Sequence, residues 1–91
     1  MTLAARARHD VPVSVDHDSN VPPYLQVAAI LRGRIESGEL APKARLPSIV
    51  GLVQEYGIAR TTAAKALKVL VDEGLAEVIT GWGTFVREPQ D

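Results

Sequence analysis

The stretch IVGLVQEYGIARTTAAKAL, residues 49–67, decides the fold. Ser48 precedes it as a helix cap, its hydroxyl able to accept from a first-turn amide. The acid that would complete a capping box is absent, because Gly51 stands in its place. A short helix from Ile49 to Tyr56 ends at Gly57, where a tight turn demands a residue without a Cβ. A further helix starts near Arg60 or Thr61 and runs to Glu73, with Ala63, Ala66, Leu67 and Leu70 as its inward stripe and Gly74 as its stop. Leu52, Val53, Tyr56 and Ile58 lock against Ala63 and Ala66, which are small enough for close approach. Two helices joined through a glycine turn make a helix-turn-helix.

Working outward, Tyr24, Val27, Ala28, Leu31 and Ile35 recur at helical spacing and predict a first helix over Tyr24–Ser37. Pro23 suits its entry and Gly38 its exit. Pro42, Lys43 and Ala44 make a turn, after which Leu46 points back into the core. Downstream, Ala76–Thr80 and Thr84–Arg87 read as two strands joined across Gly81-Trp82-Gly83. The order predicts a mainly α fold with a small β-hairpin: a winged helix-turn-helix of three helices plus a two-stranded wing. A generic three-helix domain is the alternative, and the hairpin directly after the third helix disfavours it.

Ninety-one residues fit one domain with a modest core, and with 4% aromatics that core must rely on Leu, Val, Ile and Ala. The chain has no cysteine, which excludes disulfides, thiolate zinc sites and a cysteine nucleophile and suits a reducing, cytoplasmic setting. No apolar run approaches the roughly 20 residues of a membrane span, and the start lacks the apolar stretch of a signal peptide. Net charge is −1, yet between Pro23 and Arg87 eight Lys/Arg face six Asp/Glu, so the acidic excess lies in the tails. A slightly positive folded part tolerates nucleic acid without demanding it. Residues 1–21 read as a flexible N-terminal tail, 22–87 as the domain and 88–91 as a C-terminal tail. Within the first tail, alternating Val11, Val13 and Val15 offer a short strand as the weaker alternative. Arg6 and Arg8 offer a minor-groove arm, again weaker than a solvated tail. Asp16-His17-Asp18 resembles a metal cluster, but without further organised ligands a solvated loop is favoured. No serine–base pair, paired buried carboxylates or phosphate-cradling glycine loop is apparent. The expectation is therefore no enzyme, no metal and no cofactor.

The chain resembles the N-terminal DNA-binding domain of the GntR family of bacterial regulators. The matching stretches are Pro22-Pro23-Tyr24-Leu25-Gln26-Val27, Ile35-Glu36-Ser37-Gly38-Glu39-Leu40-Ala41-Pro42, Arg45-Leu46-Pro47-Ser48, Arg60-Thr61-Thr62 with Ala66-Leu67, and Glu73-Gly74-Leu75 leading into Gly81-Trp82-Gly83-Thr84-Phe85-Val86. They occur in order and at family spacing over roughly residues 22 to 87. The resemblance implies a dimer on a pseudo-palindromic operator, the third helix in the major groove and the wing tip at the neighbouring minor groove. It implies DNA contacts at Arg60, Thr61, Thr62, Thr80 and Gly81, with Arg45 and Ser48 in the matched stretch and Trp82 at the wing tip as further candidates. Several positions depart from the family pattern. Val50 and Ala64 stand where DNA-contacting arginines are usual, Ala59 replaces the usual Ser/Thr cap, Lys65 sits where an acid is favoured, and Trp82 occupies a position that is often basic.

The physics of those residues agrees. An arginine at a helix start can reach a guanine edge with two hydrogen bonds, and amides and threonine hydroxyls there suit phosphate oxygens. Lys65 and Lys68 share a face with Thr61, where they can approach phosphates. Trp82 can stack in the minor groove, bind a protein, or pack over its own hairpin. The expected function is sequence-specific binding of duplex DNA to regulate transcription, as a repressor. A winged-helix protein-interaction module is the alternative, because Val50, Ala64 and Trp82 make the reading surface less basic. The family normally adds an effector-binding or dimerisation domain after the wing, whereas this chain ends at Asp91. The expectation is thus a chain without an effector domain, monomeric or weakly dimeric when free and dimeric on its operator.

Overall fold

The computed structural model describes residues 14–88. Pro22 caps the first helix, α1 (Pro23–Glu36), and its carbonyl accepts the amides of Leu25 and Gln26 at 3.0 and 3.2 Å. Pro23 at the first helical position has its φ already fixed near the helical value. Ser48 Oγ accepts the Gly51 amide at 3.0 Å and starts α2 (Ile49–Tyr56) as expected. Gly57 ends it in the left-handed conformation, φ 65° and ψ 40°. α3 (Arg60–Asp72) begins behind Ala59, whose side chain makes no capping bond. β1 (Ala76–Ile79) and β2 (Gly83–Val86) pair antiparallel, with Ala76 opposite Val86 and Ile79 opposite Gly83.

α3 packs against both other helices, and β1 packs onto α3. Leu31, Leu52, Leu70 and Val27 are the largest fully buried side chains. Every residue expected on the inward stripe of α3 is buried, as are Leu52, Tyr56 and Ile58 from the helix-turn-helix. Tyr24, Ile35 and Val53 lie only half-buried at its margin, and Ile30, absent from the predicted stripe, is 3% exposed.

Three details differ from the sequence reading. Gly83 belongs to β2 rather than to the hairpin tip, so the loop is Thr80-Gly81-Trp82. Trp82 donates its amide to the Ile79 carbonyl at 2.8 Å, and Gly81 at φ 84° takes the place where a type II turn requires positive φ. Second, the predicted turn at Pro42 forms, with the Ala44 amide on the Ala41 carbonyl at 2.9 Å, but the chain after it joins the sheet. Lys43 donates its amide to the Val86 carbonyl, Val86 to that of Ala44, and Leu46 to that of Thr84, each at 2.8 Å, with Arg45 bridged to Phe85. The wing is thus a hairpin with a short third segment along β2, leaving β1 as its free edge.

Third, residues 14–21 of the expected tail are fastened to α1. The Gln26 amide nitrogen donates to the carbonyls of Asp16 and Val21 at 2.8 and 2.7 Å, while its oxygen accepts the Asp16 amide at 2.7 Å. Asp16 Oδ1 also accepts the Asp18 amide at 3.0 Å, so the Asp16-His17-Asp18 run forms an Asx-type turn. Val15 packs against the core. Val11, Val13, Arg6 and Arg8 lie outside the described residues.

Candidate nucleic-acid interface

α3 starts in the open. Arg60 and Thr61 are exposed and Thr62 is half-buried. Because Ala59 offers no side-chain oxygen, the first-turn amides of α3 carry no side-chain cap. Such amides need an outside acceptor, either water or an anion.

At 100° per residue, the exposed surface of α3 divides into two flanks. The exposed Arg60 and Ala64 follow one line, which runs on to the buried Leu67. Leu67 also lines a groove of about 310 Å³ whose other walls include Arg45, Ser48 and Val50 from the approach to α2, and Gly83 and Thr84 from the wing. The fold therefore brings Arg45 and Ser48 to the place where helix-turn-helix and wing meet, while Arg60 stands about two turns of α3 before Leu67. Thr80, Gly81 and Trp82 stand exposed at the wing tip beyond it. Trp82 is 71% exposed, so its own hairpin covers little of the ring.

The second flank carries Thr61, Lys65 and Lys68, away from that groove. Lys65 Nζ sits 5.6 Å from the centre of the Tyr24 ring, within cation–π range. Lys68 Nζ is 2.9 Å from Asp72 Oδ2 one turn further on. Both lysines border a shallow depression with Tyr24, Val69 and Asp72. The residues predicted from sequence thus form two groups rather than one surface.

Ion pairs occupy several of the other cations. Glu73 holds Arg32 with bonds of 3.0 and 2.8 Å, tying α1 to the end of α3, and Glu39 holds Arg34 at 3.0 Å. Lys43 stands 3.8 Å from Glu88. Among the described residues, Arg45 and Arg60 have no acid partner, and both belong to the groove side. Lys65 and Arg87 likewise have none among those residues, so free cations lie on both flanks. Away from the site, burial pushes the Tyr56 phenol above its usual range; Glu55 adds to the shift and the Arg34 guanidinium opposes it.

One relationship escapes the sequence reading. A Cβ placed on Gly83 would lie 2.9 Å from Arg45 Nε and 3.2 Å from Nη2, so the Arg45 guanidinium occupies the seat a side chain would fill. The available signal is the glycine itself. Glycine inside a strand weakens it and often marks a close approach.

Residues 23–86 match the family described as "Bacterial regulatory proteins, gntR family". The chain is 38% identical over 78 residues to the HTH-type transcriptional repressor NagR of Bacillus subtilis, covering 86% of this chain and 32% of that protein. It is 42% identical over 67 residues to the mannosyl-D-glycerate transport/metabolism system repressor MngR of Escherichia coli, covering 74% and 28%. It thus spans about a third of the length of these curated relatives. Among solved structures, YtrA from Sulfolobus acidocaldarius, a GntR-family transcription factor, superposes with a TM-score of 0.78 at 35% identity, covering 86% of this chain and 82% of that one. AraR(DBD) in complex with operator ORX1 gives 0.70 at 36%, covering 72% and 80%. Three helices, a glycine-turned helix-turn-helix and a hairpin wing therefore sit in the sequence frame those proteins share, and the chain belongs to the gntR family of bacterial regulatory proteins.

Proposed function

We propose that this domain binds duplex DNA sequence-specifically and represses transcription, with α3 in the major groove and the wing at the adjacent minor groove. It acts in the cytoplasm and performs no catalysis. The observation that carries the reading is the groove that joins Arg45 and Ser48 to the wing beside α3, whose exposed start carries Arg60, the two arginines lacking acid partners among the described residues. The likeness to AraR(DBD), solved in complex with its operator, supports the same use of the fold.

In this reading Arg60 is the base reader, because its guanidinium projects from the uncapped start of α3 and suits the paired acceptors of guanine. Thr61, Thr62 and the first-turn amides hold phosphate oxygens. Ser48 keeps its hydroxyl proton free to donate, since its oxygen only accepts from Gly51. Arg45, from its seat across Gly83, offers its charge to the backbone between α2 and the wing, while Thr80, Gly81 and Trp82 meet the minor groove. Lys65 and Lys68 supply outlying phosphate contacts. Two copies occupy half-sites of a pseudo-palindromic operator one helical turn apart, about 10–10.5 base pairs centre to centre.

Selection from a random duplex pool, followed by titration of the enriched sequence and a scrambled control at several salt concentrations, tests this. Enrichment of a two-fold-related motif with a steep salt dependence is the expected result. A second reading, docking of an apolar protein, draws on the exposure of Val50 (47%) and Trp82 (71%). It predicts no enriched motif and little dependence on salt.

A further inference from the structure

The wing of this chain carries at its tip an aromatic ring instead of a cation. Trp82 is 71% exposed. Its amide is fixed on Ile79 at 2.8 Å, and Gly81 and Gly83 on either side hold φ values of 84° and 126°. The residue that follows it, Gly83, is covered by the Arg45 guanidinium, which lies where a β-carbon would be. Arg45 is in turn tied into the sheet by its bridge to Phe85 and by the flanking bonds of Ala44 and Leu46. The tip is braced from below as well as closed by its turn.

A neutral indole at this place has little to gain from phosphate attraction, and its single N–H donor reads almost nothing in a minor groove whose pattern is degenerate. What it offers is a flat apolar face at the end of a closed turn. Apolar side chains pushed between base steps from the minor groove unstack and kink the duplex.

We propose that Trp82 is a minor-groove wedge, held at working height by the Arg45–Gly83 contact, and that this wing selects DNA by how easily it deforms. The wedge rests on the DNA-binding reading above. Deformability is greatest at pyrimidine–purine steps, so a TA or CA step is favoured at the wing-facing position of the site although no side chain there reads a base edge.

Trp82 is the only tryptophan in the chain, so its fluorescence reports on the wing tip alone. The test uses the full chain and a duplex that it selects from a random pool, end-labelled for energy transfer so that bending is measured. A counterpart carries AA in place of the wing-facing TA or CA step. The wedge predicts quenched Trp82 emission and a bent duplex, both diminished on the AA counterpart. Trp82→Ala should straighten the duplex and weaken binding on the order of tenfold, the scale of one base–aromatic stack. Trp82→Arg should recover affinity through charge and steepen the salt dependence while leaving the duplex straight. Arg45→Lys keeps the charge but not the planar group seated on Gly83, so the bend should shrink. Wild-type binding that depends on Arg60 but shows neither quenching nor a Trp82-dependent bend overturns the wedge alone. Absence of any duplex binding overturns the wedge and the DNA reading together.

Discussion

Lys68 and Asp72, four residues apart on α3, form an ion pair of 2.9 Å on the flank that faces away from the wing groove. Both side chains are more than 60% exposed, and pairs of this kind contribute only about 0.3–0.5 kcal/mol. A phosphate therefore displaces Asp72 readily. Lys68→Ala is expected to weaken specific and scrambled duplexes alike and to reduce the slope of log affinity against log salt by about 0.9. Asp72→Asn should strengthen both duplexes, since it removes a negative charge beside the same phosphate. An unchanged slope in Lys68→Ala would confine that lysine to its helix pair and shrink the interface to the groove side.

Lys43 holds φ 71° in the turn that leads into the sheet, the one non-glycine residue with positive φ among those described. An L-residue there costs about 1–2 kcal/mol, whereas glycine loses about 0.4–1 kcal/mol more chain entropy on folding. The strain outweighs the entropy. Lys43→Gly should thus stabilise the domain by roughly 0.5–1 kcal/mol in urea unfolding, because the ion pair it gives up is long and exposed. A destabilised variant would mean that the Lys43 side chain does more than the 3.8 Å approach to Glu88 suggests.

The helices are legible in the sequence because each is punctuated by residues with one physical job: Pro23 and Ser48 at starts, Gly38, Gly57 and Gly74 at stops. The buried stripe of α3 follows from spacing alone. Pairing of residues 43–46 with β2 does not, because a turn at Pro42 is compatible with many exits and only docking on the core chooses among them. The Gln26 clamp is invisible for a similar reason, since one amide side chain gathers three backbone groups up to ten residues away. For the site, helical arithmetic places Lys65 and Lys68 with Thr61, and the structure sets the two lysines around one depression. Arg45 and Ser48 are legible only as part of a matched stretch. That Arg45 lies across Gly83 depends on the path of a long side chain, which no local pattern specifies.

Tyr56 couples the core to pH. The phenol is 9% exposed, and burial raises its pKa above the ordinary value near 10. The folded state therefore holds this proton more tightly than the unfolded chain does. The resulting stability is fully present below about pH 10 and is lost as the pH climbs through the folded-state value. Denaturant unfolding between about pH 8 and pH 11 should show that decline, and Tyr56→Phe should flatten it. An equal alkaline loss in the Phe variant would assign the effect to other groups.

Arg60 is expected to carry most of the sequence discrimination. Val50 and Ala64 present no charge beside it, and among the described residues it has no acid partner to hold it back. A bidentate contact to guanine discriminates by about 1–3 kcal/mol, so Arg60→Ala should cost that much on the preferred duplex and far less on a scrambled one. Arg60→Lys is informative because an ammonium keeps the charge without the planar fork. It should restore affinity for scrambled DNA and the salt slope, yet leave most of the discrimination missing. Thermal unfolding of the three proteins should coincide, since Arg60 is exposed at a helix start and packs into no core. Equal losses for Arg60→Ala on both duplexes would make it a phosphate anchor and leave the bases to be read elsewhere on the groove. No loss on either, with the fold intact, would remove α3 from the DNA and favour the apolar-docking reading of Val50 and Trp82.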